Sequence, residues 1–305
     1  MRFRLFFAAL ASLTLLPFAP AVSAQLRAGA VYVASNEATG NRILQFHRDE
    51  NGVLTLVGSF NTGGLGTGSG LGNQGGLVLA ENGEWLLVVN AGSNDISVFA
   101  VNSDGDSLRL TDREASGGKH PISIAAKRDL AYVLNAGGSV GATDNIRGFR
   151  LGRHGQLVPI PGSTAPLSAG NVGPAEIHFG SDDDELFVTE KNTNRIDVFQ
   201  LDEQGLIRSS QTFNSTGITP FGFAVSRFDN ILVSNAAGGA ANASSLTSAV
   251  STLVPSAFWP DPLLPTNLRP AGLSSRAAAT SPTPPIQGAL RSPVTLSPRM
   301  ALRPC

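Results

Sequence analysis

The chain has 305 residues, a formal net charge of −1 and only 15% charged residues. This length allows one large domain with a sizeable core, and the lack of an apparent basic face argues against a nucleic-acid-binding protein. The only cysteine is Cys305, which excludes an intrachain disulfide and a cysteine-based metal site.

Residues 1–24 have the pattern of a secretory signal peptide. Arginines at positions 2 and 4 precede an apolar run from Leu5 to Leu16, and small residues at positions 22–24 offer a cleavage site. The run is shorter than the roughly 20 residues that a membrane-spanning helix needs. We therefore expect an exported protein, periplasmic or secreted, with no membrane span after cleavage. Export without disulfides suits a bacterial protein.

One apolar sequence motif, which we call the blade phrase, recurs along the chain and predicts the fold. It ends in a polar residue at Leu86–Asn90, Ala131–Asn135, Leu186–Glu190 and Ile231–Asn235, with a degenerate copy at Val31–Ser35. A second strand ending in phenylalanine follows at Ile43–Phe46, Ile96–Phe99, Ile146–Phe149 and Ile196–Phe199. A repeat of about 40–50 residues made only of strands and turns is typical of β-propeller blades. Helical repeats would need a 3.6-residue periodicity, which is missing.

The sequence therefore predicts an all-β protein, a β-propeller of four-stranded antiparallel blades, over residues 25–245. The predicted blades span 29–72, 73–116, 117–172 and 173–217, and a fifth begins at about 218. The first of them lacks a clear inner strand. The glycine-rich stretch Gly63–Gly76 does not end in the Gly-Lys-Ser/Thr of a phosphate loop. It is predicted to be a flexible connection.

Beyond residue 245 the repeat stops. The last sixty residues hold eleven of the nineteen prolines and two of the thirty-four glycines. One interpretation of residues 246–305 is a disordered, proline-rich C-terminal tail. The other is a frameshift near residues 240–250. When the third base of each codon is joined to the first two bases of the next, Pro282–Leu296 becomes compatible with YTANTGS-x-TISGYT, which repeats the blade phrase LLVVNAGSNDISVF. We favour the frameshift, because the shifted frame restores three features of the blade repeat together: its register, its apolar phrase and its spacing.

The polar ends of the repeated strands predict a ligand site. In a propeller, the loop after the second strand and the loop that leads into the inner strand open on the same face. The strand ends place Asn90, Asn135, Glu190 and Asn235 there, with Lys191 beside Glu190, and the lead-in loops add Gln74, His120 and Glu176. The sequence thus predicts a ring of polar groups around the mouth of a central channel.

Each of these residues also has a structural interpretation. A strand-end Asn commonly hydrogen-bonds to nearby backbone and shapes a turn, so the Asn series can be a blade-corner device. Glu190 breaks that series, which favours a functional role, and Lys191 can be its solvated counter-charge. His120 is a candidate general acid or base, or else a residue that holds its loop.

The sequence gives little support for metal or nucleophilic chemistry. No pair of histidines has metal-ligand spacing, and no Gly-x-Ser-x-Gly elbow is present. Asn and Glu oxygens can bind a hard cation such as calcium, although Asn donors alone bind it poorly. We expect no cofactor, with calcium as a weak alternative.

Four phrases carry a resemblance to a known family: HPISIA (120–125), YVLNAGG (132–138), LFVTEKNTNRIDVF (186–199) and SNAAGGAANASSL (234–246). Together they resemble the lactonase-type seven-bladed propellers, the 6-phosphogluconolactonase-like and carboxymuconate-cyclase-like proteins, many of which are exported bacterial proteins. The resemblance implies a lactone substrate handled by His, acidic and Arg side chains at the channel mouth, without an essential metal in the lactonising members. His120 matches the family's His-Pro lead-in loop, and Glu190 lies where the family often has an acidic group. The lead-in loops and strand ends lack the family's arginine, and about five of the expected seven blades are present.

Two functions follow as hypotheses. In the first, the protein is a carboxylic ester hydrolase that opens a sugar-type lactone, with His120 as general base or acid, Glu190 orienting the imidazole, and a binding set that comprises Asn90, Asn135, Glu176, Lys191 and Asn235. In the second, a non-catalytic exported propeller binds a carbohydrate or a protein partner through the same face. Contact between the His120 and Glu190 side chains would favour the first. The oligomeric state is left open.

Overall fold

The computed structural model describes residues 29–80, 83–102, 107–181, 184–226 and 230–250. The predicted signal peptide lies outside these residues, and so does the predicted tail beyond residue 250. The last described strand continues to Val250, five residues past the predicted tail boundary. No helix in the described part of the chain is long and apolar enough to cross a membrane.

Five antiparallel sheets follow one another along the described part of the chain. The first contains β1 (Ala30–Ala34), β2 (Arg42–Arg48) and β3 (Leu54–Asn61). The second contains β4 (Leu77–Leu79), β5 (Trp85–Asn90), β6 (Asp95–Val101) and β7 (Leu108–Ala115). The third contains β8 (Pro121–Lys127), β9 (Leu130–Asn135), β10 (Asn145–Leu151) and β11 (Leu157–Pro159), with β12 (Ala165–Pro166) also paired to β10.

The fourth sheet contains β13 (Pro174–Phe179), β14 (Glu185–Glu190), β15 (Arg195–Leu201) and β16 (Ile207–Asn214). The fifth contains β17 (Pro220–Val225), β18 (Asn230–Asn235) and β19 (Ser245–Val250). In every sheet the main path joins strands that are neighbours in sequence, so each sheet is a meander. This is the architecture of propeller blades, and the predicted fold class is confirmed.

The repeated apolar phrase forms the second strand of each blade and packs on both of its faces. In β5, Leu86 and Val88 pack with the first blade, whereas Leu87 and Val89 pack with the third. This follows from the two-residue period of a strand, which sends alternate side chains to opposite faces. Each such side chain, once buried, contributes about 1.5–3 kcal/mol. Each of the four apolar clusters formed by the described residues joins two successive blades.

Within the described residues the first blade has three strands and no inner strand, as the sequence predicts. The stretch Gly63–Gly76, however, is not a flexible connection. Gly66 donates its N–H to the Glu37 carbonyl at 2.9 Å, and Gly68 donates to the Asn36 carbonyl at 2.8 Å. These bonds hold Gly66 and Gly68 on the first blade, and the Gln74 N–H donates to the Ala175 carbonyl of the fourth sheet at 3.0 Å. The stretch is therefore bonded at both ends, and the prediction of a flexible connection is wrong. Glycine is needed at position 66 because a Cβ there would lie 2.2 Å from the Asn36 carbonyl carbon.

Candidate functional site

Asn90, at the end of β5, is the centre of a buried hydrogen-bond network. Its Oδ1 accepts hydrogen bonds from Asn41 Nδ2 at 2.9 Å and from Thr62 Oγ1 at 2.8 Å. Its Nδ2 donates to Asp95 Oδ1 at 2.7 Å and to Ser97 Oγ at 2.8 Å. The residue is completely buried. Every lone pair and proton of this amide that a ligand could use is already engaged within the protein.

The other two strand-end asparagines, Asn135 and Asn235, are buried in the same way. Each donates through Nδ2 to a residue of the next strand: Asn145, the first residue of β10, at 2.9 Å, and Thr247, the third residue of β19, at 2.7 Å. A glycine of the preceding loop lies against each of the three amides, so close that an added Cβ would be 2.3–2.6 Å from the Asn Cγ. These contacts are Gly64 on Asn90, Gly118 on Asn135 and Gly217 on Asn235. The geometry supports the corner role, and the predicted substrate-binding role of the three asparagines has no exposed atom to carry it.

Glu190 replaces the corner asparagine in the fourth blade and is also completely buried. Its carboxylate accepts hydrogen bonds from the Ser168 N–H at 3.1 Å and the Ser168 hydroxyl at 2.6 Å, and from the Thr193 hydroxyl. Among the described residues His120 is not one of its partners. The predicted orienting action of Glu190 on the imidazole therefore has no hydrogen bond behind it.

Asp197, a residue that the sequence reasoning missed, is the partner of Glu190. It lies seven residues after Glu190, as Ser97 lies seven residues after Asn90, and this alignment is a signal that the sequence contains. Burial, and then its hydrogen bond with Glu190, raise the pKa of Asp197 to about 7. Two carboxyls in hydrogen-bond contact cannot both ionise readily, because like charges repel strongly where water is excluded.

His120 occupies a strained backbone position just before the inner strand β8. Its φ is +55°, and its N–H donates to Asn94 Oδ1 at 2.8 Å while its carbonyl accepts from the Ala136 N–H at 2.9 Å. Thr219 has the same conformation and the same two bonds in the fifth blade, and Gly173 has a φ of +58° in the fourth. A left-handed conformation costs a residue with a side chain about 1–2 kcal/mol. The lead-in position thus prefers glycine, and the third blade has a histidine there.

The His120 imidazole is available for chemistry. The residue is half-buried, and no group in the described part of the chain hydrogen-bonds to its ring. Burial lowers the pKa of His120 below its ordinary value, so the ring is mostly neutral at neutral pH. A neutral imidazole can accept a proton from water.

Lys191 extends from the fourth blade to the segment that precedes β4. Its ammonium donates to the Gly72 carbonyl and lies 5.4 Å from the centroid of the Phe221 ring. Burial lowers the pKa of Lys191, and the nearby Asp144 carboxylate partly opposes this shift. Lys191 is therefore a half-buried cation held by a carbonyl and an aromatic face, which leaves it able to attract a negative charge.

The segment Gly72–Gln74 connects the predicted mouth residues. Asn73 donates through Nδ2 to the Ile122 carbonyl, two residues after His120, and Gln74 donates its N–H to the Ala175 carbonyl at 3.0 Å. Gln74 and Glu176 line a cleft of about 370 Å³ beside the fifth blade. We use the name mouth cluster for His120, Glu176, Lys191 and Gln74, the four residues that the sequence predicts at the channel mouth and that this segment links.

Glu176, on β13, joins two blades. Its Oε2 accepts the Phe223 N–H at 2.7 Å, just as Ser123 Oγ in the third blade accepts the Ile177 N–H at 3.2 Å. Burial raises the pKa of Glu176 to about 6, and the bond from Phe223 partly opposes that shift. Glu176 thus combines an inter-blade contact with a carboxyl that can hold a proton near neutral pH.

The described residues provide no set of side chains for the calcium site that the sequence left open. Among the residues that the structure describes, no group of three or more His, Cys, Asp or Glu side chains is arranged to hold a metal ion.

A family model described as lactonase, seven-bladed β-propeller, matches residues 41–159 and 138–243. Similar solved structures include a proposed 6-phosphogluconolactonase from Bacteroides fragilis (19% identity, TM-score 0.51, covering 69% of this chain and 64% of that one). Another, from Bacteroides uniformis, has 16% identity, a TM-score of 0.54 and coverages of 72% and 63%. The periplasmic gluconolactonase of Pseudomonas aeruginosa has 18% identity, a TM-score of 0.52 and coverages of 68% and 60%.

These three likenesses are in fold, and the chain spans less than two thirds of the length of each of the three proteins. The family match covers most of the described blades, and the resemblance noted in the sequence is confirmed. The chain belongs to the lactonase family of seven-bladed β-propellers.

Proposed function

We propose that the protein hydrolyses a sugar-type lactone at the channel mouth, with His120 as the general base. The observation that carries the proposal is the neutral, unengaged imidazole at a backbone position where glycine would be less strained. Membership of the lactonase family supports the reaction class. Similar structures named gluconolactonase and 6-phosphogluconolactonase support a sugar lactone as substrate.

In the proposed reaction, His120 takes a proton from water while the water oxygen attacks the lactone carbonyl carbon. The Lys191 ammonium attracts the negative charge that develops on the carbonyl oxygen. The ring C–O bond then breaks, and the imidazolium returns its proton to the leaving ring oxygen, which gives a hydroxy acid. Glu176 and Gln74 offer hydrogen bonds to the sugar hydroxyls. In this scheme Glu190 shapes the fourth-blade corner and does not act on the imidazole.

The test replaces His120 by the residues found at the equivalent positions of other blades. His120→Gly copies Gly173 and His120→Thr copies Thr219, so both should fold. Acid release from glucono-1,5-lactone, measured in a pH-stat and corrected for spontaneous hydrolysis, should fall at least 100-fold in both variants, because a general base contributes about 10²–10⁴-fold. Thr219→Gly makes the same backbone change in the fifth blade and should keep the activity.

Two results would decide against this scheme. A wild-type protein that is inert toward a panel of sugar lactones would refute lactone hydrolysis. An active wild type with an equally active His120→Gly variant would remove His120 as the base and leave the reaction class standing.

A second candidate is a non-catalytic exported propeller that binds a carbohydrate or protein partner. The observation that favours it is that Ser168 and Thr193 already occupy the Glu190 carboxylate, so that among the described residues no acid is shown to orient His120. Carbohydrate binding without acid release, followed by calorimetry, would identify this function. In both cases we propose a periplasmic or secreted location, based on the signal-peptide pattern and testable by cell fractionation.

A further inference from the structure

The buried acids Glu190 and Asp197 form a pair for which no other described blade has an equivalent. At the matching positions the second blade has Asn90 and Ser97, whose side chains bond at 2.8 Å, and the fifth has Asn235 and Thr247 at 2.7 Å. Of the described blades, the fourth alone holds two carboxyls at this corner, and they are exposed by 0% and 2%. An amide and a hydroxyl can bond without a charge, but two carboxyls can bond only while one of them keeps a proton.

The acid pair holds one loop. The Ser168 N–H donates to Glu190 at 3.1 Å and to Asp197 at 3.0 Å, and the Ser168 hydroxyl donates to Glu190 at 2.6 Å. Ser168 begins the segment Ser168–Gly173, which leads directly into the inner strand β13. We call this segment the mouth loop.

The mouth loop is connected to the mouth cluster at its other end. The Gly173 carbonyl accepts the Lys191 N–H at 3.0 Å, so the loop fixes the backbone of the cation at the channel mouth. Asp144 holds the loop from the third blade, because its carboxylate accepts the Val172 N–H at 2.7 Å. The loop is thus held at Ser168 by the acid pair and at Val172 by Asp144.

The charged groups around the pair come from three elements. Asp144, in the loop between β9 and β10, interacts repulsively with Glu190 and has a pKa raised by burial. Lys191 follows Glu190 directly and is attracted to Asp144. Arg195 is the register partner of Glu190 on β15. Among the described residues, no cation forms an ion pair with Glu190 or Asp197.

We propose that Glu190 and Asp197 share one proton, and that loss of this proton loosens the mouth loop at Ser168, so that the channel mouth is pH-sensitive. The singly protonated pair presents one negative charge to the hydroxyl and N–H donors around it. The fully ionised pair places two negative charges together in a buried site, and opening the loop admits water that relieves the repulsion.

The direction of the pH effect follows from burial. Burial and the bond to Glu190 raise the pKa of Asp197 to about 7. The loop is therefore held most firmly on the acid side of neutrality and loosens as the pH rises above about 7. The opening equilibrium should then grow by up to tenfold per pH unit, because one proton is released on opening.

Hydrogen exchange at the Ser168 amide tests the proposal on the full-length protein. Exchange is followed by NMR from pH 6 to pH 9 and corrected for the intrinsic rate at each pH. In the wild type the protection of Ser168 should fall up to tenfold per unit above pH 7. In Asp197→Asn, whose amide can donate to the Glu190 carboxylate, protection should be flat. Glu203→Gln removes an exposed carboxylate of the same blade and should behave like the wild type.

Glu190→Gln provides the reciprocal variant, since it also leaves one carboxyl in the pair, and it keeps the test open if Asp197→Asn does not fold. Flat protection in the wild type, or a pH-dependent loss that persists in both variants, would overturn the proposal. Exchange is measured without substrate, so the result stands whether or not the protein hydrolyses lactones.

Discussion

Replacing Asn90 with alanine should cost stability rather than ligand affinity. The substitution removes four hydrogen bonds, two accepted and two donated. Three of the former partners each keep another bond: Asn41 to the Val89 carbonyl, Thr62 to the Asn41 carbonyl and Ser97 to the Thr62 carbonyl. We therefore take the lower end of the cost of an unmade buried hydrogen bond, about 1 kcal/mol each, which gives a loss of about 4 kcal/mol.

The matched variant is Asn235→Ala in the last described blade. Asn235 has two side-chain bonds, to Thr247 at 2.7 Å and from Ser215 at 3.3 Å, so the same reasoning gives about 2 kcal/mol. Urea unfolding followed by circular dichroism gives both values, provided that the transitions are two-state with unchanged m-values. A domain is stable by about 5–15 kcal/mol, so both variants should fold and remain measurable.

The comparison tests the corner interpretation directly. If Asn90→Ala loses less than about 1 kcal/mol, the network does not stabilise the blade and the reasoning from hydrogen-bond satisfaction fails. If it loses stability as expected while the KM for a lactone is unchanged, the asparagine is structural. A raised KM with unchanged stability would restore the predicted substrate-binding role.

Two further predictions concern pH and packing. Since burial and the bond to Glu190 raise the pKa of Asp197 from 3.8 to about 7, the folded protein between these two pH values binds a proton that the unfolded chain has released. The stability contributed by this group should therefore be full below about pH 4 and be lost as the pH rises to about 7, with a slope of at most about 1.4 kcal/mol per pH unit. Urea unfolding of Asp197→Asn at several pH values should lack this loss, and an unchanged slope would contradict the assignment. Gly66→Ala should destabilise the protein by about 1–3 kcal/mol, because the added Cβ would meet the Asn36 backbone. Gly70→Ala is the control in the same stretch: its Cβ would meet nothing within 4 Å, so the thermal midpoint should shift little. Equal effects of the two substitutions would show that this stretch is not fixed.

The blades could be predicted from the sequence because each strand is determined by residues that are close together along the chain. The phrase that ends in Asn90 determines a strand, its two apolar faces and its polar end within five residues. The alignment of His120 with Gly173 and Thr219 is equally local, and the structure shows it as a shared left-handed conformation. Such features can be recognised in a single sequence without knowledge of the partner strands.

The environment of each polar side chain could not be predicted in the same way, because it depends on other blades. The bonds of Asn90 come partly from Asn41 and Thr62, residues of the preceding blade and its connection, which no spacing rule identifies. The acid pair is a different case. Asp197 could have been found by aligning the third strands of the blades, where its position matches Ser97. The role of Glu190 changes once that partner is known.

The remaining prediction is the frameshift near the end of the described chain. The structure narrows the range of codons in which the shift should lie. Strand β19 pairs with β18 from Ser245 to Val250, and Thr247 makes the corner bond to Asn235. The blade pattern thus persists to Thr247, and the shift inferred from the codons of Pro282–Leu296 should begin after codon 247. Sequencing the coding DNA over codons 235–260 should show a missing or extra base. The restored frame would then encode the next blade phrase, and the lactonase assays should use that protein. An intact frame would contradict the frameshift and leave a genuine proline-rich segment after the fifth blade, in which case the sixth and seventh blades of the family would have to be sought elsewhere than in this segment.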